Sequence, residues 1–563
     1  MKWLKKSPRA NLFMNNTIRL FTAAVFVLAF SASKAQTLGG GEIHGNFQAD
    51  VQYYNSDSAI NAPAVPEKLG TNSFANVIYT NNNFTAGLRF ESYLNAMQGY
   101  DSRYNGTGVP YRFIRYKADN LDVTAGNFYE QFGAGLILRT YEEKNLGIDN
   151  SLEGFRVKYT PVEGITVKAV YGVQRSFWAK GSGIVRGADA EVELNSLCKK
   201  WTDAKTRWIM GTSVVSKFQK DQNPTYYMPQ NVAAFSGRSS ITRGKVSIYG
   251  EYAYKINDPS YVNNFIYRPG QALLLNANYS TKGLGITLGA KRIDNMDFRS
   301  DYNATLTNLS LNYLPTITKQ HTYALSAIYP YATQNTGEMG YQGEIIYTFK
   351  KESAIGGKYG TTFAINYSQV TSIQHRNPPD TTVVGEAGTW GYSSEFTKFG
   401  GSKYFEDFNV EMNKKLSSIF KMNLSYYYLV YNKNVIQGTS GYGTIYSHVG
   451  VAELTWKLTA TQTLRTEWQH LYTEQDQKSW AMGLAEYSIT PHWYLAALDM
   501  YNYGNSVKAK QIHYYNFSFG YTKNATRITM GYGKQREGIF CVGGVCRAVP
   551  ASNGITLSIT SSF

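Results

Sequence analysis

The stretch "SNGITLSITSSF", residues 552–563, alternates strictly from Gly554 onward. One face of the extended chain carries Ile555, Leu557, Ile559 and Phe563, and the other carries Thr556, Ser558, Thr560 and Ser562. A strand that is apolar on one side only is typical of a membrane β-barrel, where one face meets lipid and the other meets the lumen. We therefore expect this strand to close a barrel against the first strand of the sheet.

The same two-residue period recurs along the whole chain. It is clear in residues 88–91, 363–367, 515–521 and 528–532. The composition agrees, because 46 Tyr and 28 Phe accompany only 15 Pro, and strands and membrane-interface girdles both favour aromatic residues.

Short and long connections interleave between the predicted strands. Tight links at 81–83, 118–120, 161–164, 242–245, 281–285, 459–462, 490–493 and 522–525 alternate with longer polar ones. The longer links, which we expect to be outer loops, are 55–70, 96–108, 174–183, 218–228, 257–270, 371–402, 433–443 and 503–510. Bacterial barrels have short periplasmic turns and longer outer loops. The pattern predicts an all-β, antiparallel up-and-down transmembrane barrel of about 24 strands, an even number between roughly 20 and 26, with Phe563 at the periplasmic rim.

Residues 1–35 are typical of a secretory signal peptide, with a basic start, the apolar run "LFTAAVFVLAF" and cleavage near Ala35. Residues 36–563 then form the barrel, which we expect in the cell outer membrane. The formal charge is +16, and removing six Lys or Arg with the signal peptide leaves +10. These charges are mixed with acids, so a nucleic-acid partner is not expected.

Cys541 and Cys546 lie at the two ends of "CVGGVC" in the predicted last outer loop. An exported loop favours a local disulfide, whereas a metal or redox pair normally uses closer spacing and companion ligands. Cys198 is left as a free thiol near a periplasmic turn. The scattered histidines, and the lack of HExxH, GxSxG and phosphate-loop motifs, predict no enzyme activity, no catalytic or metal site and no cofactor.

The sequence does not decide the conformation of two long segments. Residues 127–152 either fold inward and narrow the pore or extend the strands above the membrane. Residues 294–338 form a folded cap, an inserted plug or an extra hairpin. Basic and acidic residues near the first segment are candidate pore-lining residues that would favour anions, unless they are only balanced lumen polarity. These candidates are Arg89, Glu91, Arg115, Lys117, Arg139, Arg156, Lys158 and Lys168.

Three blocks in order resemble a known family: "YEQFGAGLILRTYEEKNLGIDN" (129–150), "NYLPTITKQHTYALSAIYPYATQ" (312–334) and "CVGGVCRAVPASNGITLSITSSF" (541–563). They look like an uncharacterised Bacteroidetes family of outer-membrane β-barrels, a domain of unknown function, porin-like in its tail. The resemblance implies the barrel and its location but carries over no catalytic residue or substrate. The terminal Phe563 also resembles the signal that the barrel-assembly machinery recognises.

The sequence favours a porin-like barrel for passive passage of small polar or anionic solutes, with outer-membrane lipid and the assembly machinery as partners. One alternative is a non-conducting scaffold or accessory subunit of a secretion or assembly complex, whose loops bind outer-membrane protein partners. Bulky apolar lumen positions such as Phe113 and Leu429 would favour that alternative. Another alternative is a transporter of hydrophobic solutes, which the charged positions Arg465 and Glu467 disfavour.

Overall fold

The computed structural model describes residues 36–378, 383–542 and 545–563, so the expected signal peptide 1–35 lies outside the described residues. The strands are β1 (Gln36–Leu38), β2 (Gly41–Tyr54), β3 (Leu69–Asn81), β4 (Phe84–Leu94), β5 (Gly106–Lys117), β6 (Leu121–Phe128), β7 (Glu142–Glu143), β8 (Ile148–Asp149), β9 (Leu152–Tyr159), β10 (Ile165–Ser176), β11 (Ala179–Glu193), β12 (Thr206–Phe218), β13 (Asn231–Arg243), β14 (Val246–Lys255), β15 (Gly270–Thr281), β16 (Leu284–Asp294), β17 (Gly337–Phe349), β18 (Thr361–Ile373), β19 (Phe399–Lys415), β20 (Phe420–Asn432), β21 (Thr444–Lys457), β22 (Gln462–Tyr472), β23 (Trp480–Ile489), β24 (Trp493–Tyr501), β25 (His513–Lys523), β26 (Thr526–Gln535), β27 (Gly538–Val542), β28 (Val545–Val549) and β29 (Ser552–Ser562). The short α-helices are α1 (Leu194–Leu197) and α2 (Lys433–Gln437). Single 3₁₀ turns lie at Ser58–Ile60, Ser102–Tyr104, Lys144–Leu146, Lys199–Trp201, Tyr261–Asn263 and Lys508–Lys510.

Within the described residues, 24 strands form one closed antiparallel barrel, and β1, β7, β8, β27 and β28 lie outside this ring. The last strand, β29, pairs with β26 on one side and with β2 on the other, which closes the sheet. Phe563 and Gly45 exchange two main-chain hydrogen bonds of 3.0 Å at the end of this pairing. Closure leaves no unpaired edge, so the predicted fold class, strand number and closing role of β29 are confirmed.

The two faces of the barrel follow the two-residue period of the sequence. Ile555, Phe517 and Leu495 are exposed on the outward face, whereas Ser558 points inward and donates a 2.6 Å hydrogen bond to Asp50. An apolar outer face with a polar lumen is the surface of a membrane-spanning β-barrel. Among the described helices, none has both the length and the apolar character needed to cross a membrane.

Connections alternate between the two ends of the barrel, as predicted. At the short-turn end the links include 82–83, 244–245 and 524–525, and at the long-loop end they include 129–151 and 295–336. The interpretation of 174–183 as a long outer loop was wrong. Phe177 and Trp178 alone join β10 to β11, and their rings pack on Tyr104 and Tyr93 instead of leaving the sheet.

Two long connections fold into the barrel, and we call them the first lumen segment (129–151) and the second lumen segment (295–336). They build two interior clusters against the wall. The first cluster includes Phe132, Leu136, Ile137, Phe298, Leu311 and residues of β6 and β9–β16. The second includes Ile317, Leu325, Tyr329, Leu429, Trp480 and residues of β18–β23. Each such side chain contributes roughly 1.5–3 kcal/mol when fully buried, so apolar packing holds both segments inside.

Candidate functional site

The candidate functional site is the lumen that remains between the wall and the inserted segments. The structure decides between the conformations that the sequence left open for the two long segments. Residues 127–152 fold inward, and residues 294–338 are an inserted plug rather than a cap or an extra hairpin, because both pack on the inner wall. Main-chain hydrogen bonds connect the two lumen segments. The Arg139 N–H donates to the Leu311 carbonyl at 2.8 Å, and the Tyr313 N–H donates to the Gly135 carbonyl at 2.9 Å.

A buried charge cluster fastens the first lumen segment to β4 and β10. Asp149 pairs with Arg89 and, at 2.6 Å, with Arg175, while Glu91 pairs with the same two arginines at 2.7 and 2.6 Å. The Tyr129 hydroxyl donates to Asp149 at 3.0 Å. Burial alone would raise the pKa of Asp149, but Arg175 and Arg89 outweigh it and hold that pKa below its ordinary value.

A second anchor lies at Glu130, early in the same segment. Arg156 donates to its carboxylate at 2.6 Å, and the Lys168 ammonium lies 3.0 Å from it. Arg156 also reaches Asp122 at 3.2 Å, which Arg115 contacts at 2.5 Å. These basic side chains therefore have carboxylate partners in the folded barrel.

The tight turn of the first segment is held by Glu251 on β14. Its carboxylate accepts a 2.6 Å hydrogen bond from the Ala134 N–H and a 2.5 Å bond from the Tyr249 hydroxyl. Gly133 has φ +52°, and a Cβ there would lie 2.6–2.8 Å from the Glu251 carboxylate. Glycine is thus required by both the left-handed backbone and the close approach.

The second lumen segment is anchored by Lys319 and His321. The Lys319 ammonium lies 2.9 Å from Glu344 and 3.1 Å from Glu411, on β17 and β19. His321 contacts Asp407 at 3.0 Å. Leu325, in the same segment, donates its N–H to Gln469 of β22 at 2.8 Å.

The predicted pore-lining residues divide into three groups. Arg89, Glu91, Arg115, Arg156 and Lys168 form ion pairs rather than a row of free charges, and of these Arg89 and Glu91 are buried. Arg139 is on the first lumen segment, with its guanidinium 4.0 Å from the ring centre of Tyr313. Lys117 and Lys158 lie on the inward wall near the short-turn end, without an ion pair among the described residues. For these two, pore lining stays a prediction.

The third inserted element is the disulfide hairpin, formed by β27 and β28. Cys541 and Cys546 are joined by a disulfide, as the spacing predicts. The hairpin contacts the second lumen segment, where Gln320 donates to the Cys541 carbonyl at 2.9 Å. Cys198 is free and exposed in the connection of β11 to β12 at the short-turn end.

Two cavities flank this hairpin near the long-loop end, with volumes of about 630 and 520 Å³. Ile539 and Arg547 line both of them. Sequence reasoning missed Arg547, although its place beside Cys546 in a predicted outer loop was a usable signal. No cluster of three or more His, Cys, Asp or Glu side chains suited to a metal ion occurs in the part of the chain that the structure describes.

Residues 14–563 match one family model. The chain belongs to the family of unknown function DUF6029. A search of curated proteins found no match.

Solved structures similar to this DUF6029 chain include two receptors and an iron transporter. The siderophore receptor PirA from Pseudomonas aeruginosa has 9% identity and a TM-score of 0.39, covering 92% of this chain and 80% of that one. A mutant ferric enterobactin receptor PfeA from the same organism, with enterobactin bound, has 11% identity and a TM-score of 0.42, covering 94% and 82%. The iron transporter FrpB from Neisseria meningitidis has 9% identity and a TM-score of 0.35, covering 92% and 82%.

Proposed function

We propose that this protein is an outer-membrane β-barrel that passes small polar or anionic solutes through a narrow passage left beside its inserted segments. The observation that carries the proposal is the uneven filling of the lumen. Neither interior cluster takes a buried residue from β2, β26 or β29. The passage therefore runs along these closing strands, and a wide general diffusion pore is disfavoured.

The inward face of β2, β26 and β29, which we call the seam, has the chemistry of a wet path. Gln48, Asp50, Thr529, Ser558 and Thr560 face the lumen there. Gln48 and Ser558 both donate to Asp50, at 2.7 and 2.6 Å. Small polar side chains keep water in the path and let solutes exchange hydration for protein hydrogen bonds.

A second candidate function is a non-conducting scaffold or accessory subunit in a secretion or assembly complex. The apolar packing inside the barrel supports it, since Leu429 and Trp480 are almost fully buried against the second lumen segment. In that case, the outer loops would bind protein partners. Absence of enzyme activity and the Bacteroidetes origin remain predictions.

Single-channel recording in a planar bilayer tests the proposal with a matched pair of variants. Ser558→Trp places a bulky ring in the seam, whereas Leu557→Trp places the same ring on the lipid-facing side of the same strand. We expect small wild-type current steps, a reduction of about twofold or more in S558W and no change in L557W. A silent bilayer from a folded, heat-modifiable barrel, or equal currents in both variants, would contradict the proposal and favour the scaffold.

A further inference from the structure

The disulfide hairpin brings one arginine to the boundary between the two cavities near the long-loop end. Arg547 lines both the 630 Å³ cavity and the 520 Å³ cavity, and Arg536 lines the second one only. The second cavity is also lined by Gln52 of the seam, so Arg547 lies between the first cavity and the proposed passage.

Arg547 has no carboxylate partner among the described residues, unlike the buried arginines of the charge clusters. Arg89, Arg175 and Arg299 each form ion pairs with acids. In contrast, Nε and Nη1 of Arg547 are buried without a hydrogen-bond partner among the described residues. Its guanidinium stacks on Tyr100, 4.2 Å from the ring centre.

An unpaired cation in a low-dielectric site is costly, and an anion that enters beside it recovers that cost. Burial lowers the pKa of Arg547 below its ordinary value, and Tyr100 offsets this only in part. Arg536 has a related environment: it donates to the Glu537 carbonyl at 2.9 Å and lies 6.0 Å from the ring centre of Trp480. Neither arginine has an ion pair in the described parts of the chain.

We propose that Arg547 binds the oxyanion group of a small organic solute, a carboxylate or a phosphate, at the boundary between the 630 Å³ cavity and the 520 Å³ cavity. The planar guanidinium presents paired N–H donors that match both groups. This inference rests on the proposed function and assigns the solute class and the residue that selects it.

The walls of the 630 Å³ cavity fit the organic body of such a solute. Tyr141 and Tyr431 supply aromatic surface, Ile148 and Leu314 supply apolar surface, and Thr333 contributes a buried hydroxyl that has no hydrogen-bond partner in the described part of the chain. Tyrosine rings pack on sugar-like bodies and keep a polar end for hydrogen bonds. A volume of about 630 Å³ lies in the range of small-molecule sites.

Calorimetric titration of the folded full-length barrel in detergent tests this assignment. The probes are two pairs that differ in charge, D-gluconate with D-glucitol and glucose 6-phosphate with glucose. The variants are Arg547→Gln and Arg547→Lys, with Arg103→Gln as a control because Arg103 is exposed, paired with Asp101 and outside both cavities.

We expect wild type and R103Q to bind at least one anionic probe and to bind its neutral partner much more weakly. R547Q should lose about tenfold or more in affinity for that probe, and R547K should recover part of it. Equal affinity in R547Q, equal binding of the neutral partner, or no binding of either anion overturns the inference. Since this binding is measured without a membrane, its result is separate from that of the S558W conductance test.

Discussion

Asp149 is the residue on which the docking of the first lumen segment depends most. Its carboxylate lies between Arg89 and Arg175, and all three side chains are buried. Asp149→Asn would leave both arginines short of a partner, and breaking a buried pair costs about 3–5 kcal/mol. We expect the segment to detach from the wall, so that trypsin cleaves after Lys144 faster than in wild type. Gel electrophoresis measures this cleavage. Asp119→Asn, in an exposed turn, should leave cleavage slow; equally fast cleavage in both variants would show that the segment is not held by this cluster.

The same carboxylate predicts a pH dependence. Its pKa is held below the ordinary value by Arg175 and Arg89 against the effect of burial. The stabilisation is therefore fully present above the ordinary value, near pH 4, and is lost as the pH falls through the lower folded-state pKa. We expect pepsin to cut the first lumen segment much faster at pH 2.5 than at pH 4.5, beyond the change seen with an unfolded substrate. If the ratio of the cleavage rates at pH 2.5 and pH 4.5 equals that of the unfolded substrate, the Asp149 carboxylate does not hold the segment.

Gly133 provides a test of the close approach to Glu251. Gly133→Ala adds a Cβ in a left-handed backbone and against the carboxylate, whereas Gly244→Ala adds one at φ +58° with open space around it. We expect about 1 kcal/mol of destabilisation from the backbone in both variants and a larger loss in G133A from the clash. Urea titration of the refolded barrels measures both. Equal losses would mean that Glu251 moves away freely.

Residue roles could be predicted only where the partner is near in sequence. Arg89 and Glu91 were recognised as lumen residues, but Asp149, which pairs with Arg89, is 60 positions away. Arg547 was missed because its surroundings come from Tyr100 and from remote loops. Two-residue periodicity fixes the face on which a side chain lies, not the charge that it meets there.

At the level of elements, the disulfide hairpin can be separated from the barrel. β27 pairs only with β28, and the ring closes between β26 and β29 without them. In a Cys541→Ser, Cys546→Ser variant, we expect the unfolding midpoint in urea to stay within about 10% of wild type, because the crosslinked loop is short. Chymotrypsin should cut faster after the half-exposed Phe540. Cys198→Ser is the control, and unchanged cleavage in the double variant would contradict a stiffening role for the disulfide.

Strands were predictable because their pattern is local, and inserted loops were not. The strict alternation of β29 and the interleaved link lengths gave the closed ring and its even strand number. The same reasoning left the first lumen segment between an inward and an upward course. An apolar run such as Leu136, Ile137 and Leu138 requires burial, but its sequence does not say that the wall of β11–β15 covers it.

For the whole molecule, we expect the barrel to fold without the two lumen segments, whereas the segments need the barrel. Every barrel strand satisfies its backbone through its two neighbours, so the ring does not depend on the lumen segments for hydrogen bonds. The segments depend on the ring, since their apolar side chains pack against its inner wall. A sequence can thus encode a wide barrel and a narrow passage at once, by lengthening two loops at the same end.

This separation predicts the effect of removing the first lumen segment. Replacing residues 130–150 by a short Gly/Ser linker takes away Phe132, Leu136 and Ile137 from the first interior cluster while leaving β6 and β9 paired. We expect a folded, heat-modifiable barrel whose single-channel conductance rises several-fold, because the half of the lumen beside β9–β16 fills with water. The same linker in place of 503–510, an outer loop that contributes to neither cluster, should leave conductance unchanged. A variant that folds yet conducts like wild type would place the barrier in the second lumen segment, and the same replacement made at 315–332 would then open the pore.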